Sequence, residues 1–66
     1  MTLFDYRQSL ELGKGDPQFA ALIMAAMRKA DSTNFALLHR AFPEIAVELQ
    51  ARYDAPGGLL PDEATT

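Results

Sequence analysis

The amino-acid sequence predicts an all-α fold, a small bundle of three or four short helices with an αα-hairpin core. Two observations support this class. Apolar residues recur at intervals of three and four positions, and residues that typically start or end helices separate the repeats. We expect one helical domain over residues 1–58 and a C-terminal tail over residues 59–66.

The first predicted helix covers residues 2–13. Thr2 is a suitable N-cap, and Asp5 stands where the acidic residue of a capping box is found. Gly13 is expected to end this helix as a C′ glycine. One apolar face follows the helical spacing i, i+3, i+7: Leu3, Tyr6 and Leu10.

The second predicted helix has the clearest local start signal, Asp16-Pro17. Asp is a preferred N-cap, and Pro is favoured at the first helical position because its missing N–H is not needed there. The apolar repeat continues to about Ala30. We therefore expect a helix that begins at Pro17 with Asp16 as its cap.

This second helix contains an unusually apolar stretch, residues 19–27, with no polar side chain. One side of the stretch is expected to face the neighbouring helices: Phe19, Leu22, Ile23, Ala26 and Met27. The other side has no evident partner in the chain: Ala20, Ala21, Met24 and Ala25. Either the helix is central and wrapped by the rest of the chain, or it contacts another protein. We favour the contact, because a helix that is apolar all round must be buried somewhere.

Residues 31–34, Asp-Ser-Thr-Asn, are all turn and N-cap formers and separate the second helix from a third. The third helix is expected to start at Asn34 or Phe35 and to run through Phe42. Pro43 either kinks that helix or begins a fourth, and we expect a new helix that ends near Ala55. Within it, Glu48 and Arg52 are spaced as an i, i+4 ion pair.

Residues 55–58, Ala-Pro-Gly-Gly, are expected to close the helical region. Leu59 and Leu60 then either fold back on the bundle or dock on a partner. The polar residues 61–66 are expected to be frayed.

No catalytic, cofactor-binding or metal-binding constellation is recognisable, and we do not expect an enzyme. The sequence has no Cys, so disulfides and thiolate metal sites are excluded. The single histidine, His39, lacks the neighbours of a catalytic triad or a zinc site. Gly13-Lys14-Gly15 precedes a helix but lacks the other parts of a phosphate-binding loop.

The net charge of −3 argues against nucleic acid as a ligand, since such proteins usually carry a basic patch. The alternative function is nevertheless a nucleic-acid-binding regulator of the helix-turn-helix type, because a tight turn joins the second and third helices. The start of the third helix is too apolar for a recognition helix. The apolar stretch is too short to span a membrane, so no membrane association and a cytoplasmic location are expected.

Residues 30–58 run from Ala-Asp-Ser-Thr-Asn through Ala-Phe-Pro-Glu to Arg-Tyr-Asp-Ala-Pro-Gly-Gly. This stretch resembles short helical reading frames of bacterial and bacteriophage genomes that lack an assigned activity. The resemblance implies an accessory or mobile-element protein, and it carries over no functional residue.

The sequence therefore predicts a small acidic protein–protein interaction module that self-associates. A homodimer is favoured over a higher oligomer. A domain of this size without disulfides or a metal needs very good helix packing or a partner for stability. An adaptor or inhibitor that docks on a larger protein is one form of this hypothesis, and no cofactor is expected. The predicted interface residues are Leu22, Ile23, Met24, Met27, Phe35, Leu59 and Leu60.

Overall fold

The computed structural model describes residues 1–64 and is all-helical over that part of the chain, which confirms the predicted all-α class. The described residues form five α-helices where three or four were predicted, because residues 61–64 add a short helix to the expected tail. A 3₁₀ turn, Pro56–Gly58, lies between the last two helices. The five α-helices are α1 (Leu3–Gly13), α2 (Phe19–Lys29), α3 (Ser32–Ala41), α4 (Pro43–Asp54) and α5 (Pro61–Ala64).

Helix α1 begins with the predicted capping box. The backbone N–H of Asp5 donates to the Thr2 hydroxyl at 3.3 Å, and the Asp5 carboxylate accepts from the Thr2 N–H at 2.8 Å. The predicted role of Gly13 was wrong. Gly13 is the last helical residue, and the positive φ of 84° falls instead on Gly15.

Helix α2 begins two residues later than predicted, and Asp16 is not its cap. Asp16 has a φ of 54°, in the left-handed region, so it cannot provide the extended backbone that an N-cap normally has. The cap position is Gln18, which makes no side-chain capping hydrogen bond. The Asp-Pro pair therefore belongs to the connector between α1 and α2.

Helices α3 and α4 are separated at Pro43, as expected. Asp31 caps α3, because its carboxylate accepts the Asn34 N–H at 2.8 Å, and the helix therefore starts at Ser32 rather than at Asn34. Pro43 is the first residue of α4, and Ala55 is its C-cap. Pro43 removes no backbone hydrogen bond from α4, because the N–H groups in the first turn of a helix have no intrahelical acceptor.

The core lies where α2, α3 and α4 pack against one another. Met27 and Ala46 are buried, with 3% and 5% of their surface exposed. Half-buried apolar side chains surround them: Ile23, Met24, Leu38, Phe42, Ile45 and Leu49. Helix α1 contributes nothing to this core, since it contacts no other helix of the described chain and all its residues are exposed.

The C-terminal segment folds back onto α4, where a frayed tail was expected. Arg52 donates from Nη1 to the Gly58 carbonyl and to Glu63 Oε1, both at 2.8 Å. It also keeps the predicted i, i+4 pair with Glu48, at 3.3 Å. Helical spacing did not predict the contact of Arg52 with Glu63, because a turn separates the two residues. Thr65 and Thr66 of the predicted tail lie outside the described residues.

Candidate interaction surface

The predicted interface residues on α2 do not all lie on its outer side. Met27 is enclosed by its own chain, and Ile23 and Met24 are half-buried. Leu22, which was assigned to the inner side, has 37% of its surface exposed. The inner side of α2 is thus rotated toward Met24 relative to the prediction.

The absence of α1 from the core explains this rotation. The prediction placed Leu22 against the neighbouring helices, whereas α1 makes no contact with α2. Only α3 and α4 cover α2, and they lie on the side of Met27. The outer side of α2 consequently carries small and apolar residues together with one exposed cation: Ala21, Leu22, Ala25, Ala26 and Lys29.

Phe19 connects the start of α2 with the end of α3. Its ring packs edge-on against Phe42, with 5.7 Å between the ring centroids, yet 61% of Phe19 stays exposed. Phe19 therefore adds a largely exposed aromatic ring at the start of α2.

An apolar groove runs between α2, α3 and α4, with a volume of about 400 Å³. Phe35, a predicted interface residue, lies in it with 38% of its surface exposed. The polar side chains at the groove are Arg28 and Gln50. The remaining lining residues are apolar or aromatic: Met27, Ala46, Leu49 and Tyr53.

The two predicted leucines of the C-terminal segment have different surroundings. Leu60 is half-buried, and its backbone N–H donates to Glu63 Oε1 at 3.1 Å. Leu59 is exposed over 53% of its surface. Of the two predicted alternatives, the segment folds back on the bundle. The Leu59 side chain stays exposed.

Helix α1 presents an apolar stripe that the list of predicted interface residues missed: Leu3, Tyr6 and Leu10, each more than half exposed. The stripe is visible in the sequence as an i, i+3, i+7 repeat, but an amphipathic repeat is usually taken for an inward face. Only the lack of contact between α1 and the other described helices identifies it as free surface.

The total exposed surface is large for the mass of the chain. It amounts to 5632 Å², whereas a compact monomer of 7.3 kDa would expose about 4,200 Å². The radius of gyration is 14.0 Å, compared with about 11 Å for a compact chain of this length. The excess arises because α1 lies apart from the core.

Metal-binding and membrane-spanning features do not occur in residues 1–64. No group of three His, Cys, Asp or Glu residues in that range could hold a metal ion. The His39 ring lies tilted beside the Phe35 ring, with 6.2 Å between the ring centroids. None of the helices in this range has the length and apolar character needed to cross a bilayer.

Comparisons with known proteins show no match for this chain, whether with protein-family models, with curated proteins or with solved structures. The resemblance of residues 30–58 to bacterial and bacteriophage reading frames therefore stays a prediction.

Proposed function

We propose that the chain is a small protein–protein interaction module that self-associates as a homodimer. The supporting observation is the excess of exposed surface, about 1,400 Å² over a compact monomer of the same mass. A standard interface buries about 800 Å² on each partner, so one second copy could cover most of this excess.

The apolar character of the exposed surface also supports self-association. Large apolar side chains are exposed on both α1 and α2, including Phe4, Phe19 and Leu22. In our interpretation the pairing of α2 with α3 is an αα-hairpin core, α4 completes it, and the apolar faces left outside form the interface.

The small intramolecular core gives the interface a structural role. Among residues 1–63 only Met27 and Ala46 are buried, and no disulfide or metal site of the described chain supplements them. Small domains of this kind depend on another source of stability, and oligomerisation is one. Folding and association are then coupled, and stability rises with protein concentration.

Light scattering coupled to size-exclusion chromatography tests the proposal. We expect a dimer at low micromolar concentration, which dissociates only on strong dilution. A well-folded monomer at that concentration would overturn self-association and would favour docking on a larger protein, as an adaptor or inhibitor.

A gel-shift experiment with duplex DNA tests the alternative function, a helix-turn-helix regulator. The net charge of −3 predicts no binding at physiological salt. Tight binding that weakens steeply as the salt concentration rises would replace the interaction module with a nucleic-acid-binding protein.

A further inference from the structure

The apolar stripe of α1 consists of Leu3, Tyr6 and Leu10. Their exposed surface fractions are 62%, 61% and 52%, respectively. At about 1.5 Å per residue, the stripe is about 10 Å long. Its own chain does not cover it, because α1 contacts no other helix in residues 1–64. Burial of this stripe requires an apolar surface of similar length.

The groove between α2, α3 and α4 provides such a surface. Along α4 it is lined by Ala46, Leu49 and Tyr53, which repeat at the same i, i+3, i+7 spacing as the stripe of α1. Its length along α4 is therefore also about 10 Å. Met27 and Phe35 complete the apolar lining, and the volume of about 400 Å³ suits several aliphatic and aromatic side chains.

The connector between α1 and α2 holds α1 away from this groove. It comprises residues 14–18, and Gly15 and Asp16 both have positive φ angles, of 84° and 54°. Two successive left-handed residues turn the chain sharply, and α1 leaves the bundle instead of folding over it. A short connector beside an undocked helix is a typical hinge for exchange between copies.

We propose that α1 is exchanged between the two copies of a homodimer. The α1 helix of each copy lies along the groove of the other, with Leu3, Tyr6 and Leu10 facing Ala46, Leu49 and Tyr53. A two-fold axis makes both contacts equivalent and leaves neither stripe exposed. This proposal rests on the self-association proposed above and names the segment that carries it.

Single-cysteine variants test the exchange directly, since the natural sequence contains no Cys. Tyr6→Cys places a thiol in the middle of the α1 stripe, and Gln50→Cys places one at the groove. Each chain carries a single thiol, so a disulfide between the two variants joins different chains. Gln8→Cys is the matched control, because Gln8 lies on the side of α1 opposite the stripe.

The two variants are mixed under denaturing conditions, refolded together and oxidised in a glutathione buffer. We expect Tyr6→Cys and Gln50→Cys chains to form most of the cross-linked product. The control pair, Gln8→Cys with Gln50→Cys, is expected to yield at least about tenfold less, because a disulfide requires Cα atoms within about 7 Å.

Other outcomes overturn the exchange. Preferential cross-linking of Tyr6→Cys with itself would show that α1 packs against α1. A dimer in light scattering without the Tyr6–Gln50 product would remove the exchange and leave self-association intact, whereas a monomer would remove both. An intramolecular disulfide in a monomeric double variant would show that α1 closes over its own groove.

A second pair of variants checks the energetics without cysteine chemistry. Leu10→Asp introduces a charge into the stripe and should raise the dimer dissociation constant at least about tenfold. Gln8→Asp adds the same charge on the opposite side of α1 and should change that constant by less than about threefold. Equal effects of the two substitutions would contradict the docking of this face.

Discussion

Arg52 and Glu63 form a two-pronged contact that attaches helix α5 to helix α4. Arg52 Nη1 donates to Glu63 Oε1 and Nη2 donates to Oε2, each at 2.8 Å. Parallel hydrogen bonds between a guanidinium and a carboxylate fix orientation as well as distance. Since Arg52 also binds the Gly58 carbonyl, this one side chain holds two points of the C-terminal segment against α4.

This contact should appear in a pH titration. The hydrogen bonds from Arg52, together with that from the Leu60 N–H, lower the pKa of Glu63 from 4.5 to about 2. Because the folded-state pKa is lowered, the carboxylate stabilises the docked segment above pH 4.5, and this contribution is lost as the pH falls through about 2. The Leu60 amide resonance, followed by NMR, should therefore titrate with a midpoint near 2.

Glu63→Gln should remove this titration and accelerate hydrogen exchange of the Leu60 backbone amide, which donates to the Glu63 carboxylate. Glu11→Gln is the control, because the pair that Glu11 forms with Lys14 is exposed and belongs to α1. A Leu60 midpoint near the ordinary value of 4.5 in the unsubstituted protein would contradict the contact in solution.

Met27 should be the most sensitive apolar position of the described chain. With 3% of its surface exposed, it lies at the centre of the small core, and Met27→Ala should cost about 2–5 kcal/mol of unfolding free energy. For a domain of this size that corresponds to a fall in the unfolding midpoint of roughly 10 °C or more.

Val47→Ala is the control for this substitution, because Val47 is exposed over 65% of its surface. It should change the unfolding free energy by less than about 0.5 kcal/mol. Thermal unfolding followed by circular dichroism, at one fixed protein concentration, measures both. Equal losses for the two variants would show that the core lies elsewhere.

Leu22 and Met24 distinguish the outer side of α2 from its inner side. Leu22→Glu places a charge on the exposed side and should leave the helix content unchanged. Met24→Glu places the same charge on the half-buried side and should reduce the helix content. Circular dichroism of both variants measures the difference, and loss of helix in Leu22→Glu would contradict this orientation.

Local signals in the sequence were sufficient where a feature depends on neighbouring residues. The capping box of Thr2 and Asp5, the start of α4 at Pro43 and the pair of Glu48 with Arg52 were all predicted. Each depends on residues three or four positions apart, or on the fixed φ of proline. The helical class follows from the same short-range rules.

Features that depend on tertiary contacts were predicted poorly. The orientation of α2 was wrong because it depends on which other helices pack against α2, and periodicity does not reveal this. Met27 was included in the interface although the chain buries it, since an apolar stripe looks the same whether its partner is internal or external. The contact of Arg52 with Glu63 spans a turn and has no periodic signal.

Asp16 and Asp31 should respond differently to substitution, because both resemble helix N-caps in the sequence but only Asp31 caps a helix. Asp31 accepts the Asn34 N–H at 2.8 Å, so Asp31→Ala should lose about 1 kcal/mol of unfolding free energy. Asp16 has a φ of 54°, a conformation that glycine adopts without strain, so Asp16→Gly should keep or raise the unfolding free energy. Urea unfolding of both variants gives the two values. A loss for Asp16→Gly as large as that for Asp31→Ala would contradict the left-handed conformation of Asp16, since glycine should relieve the strain of that conformation.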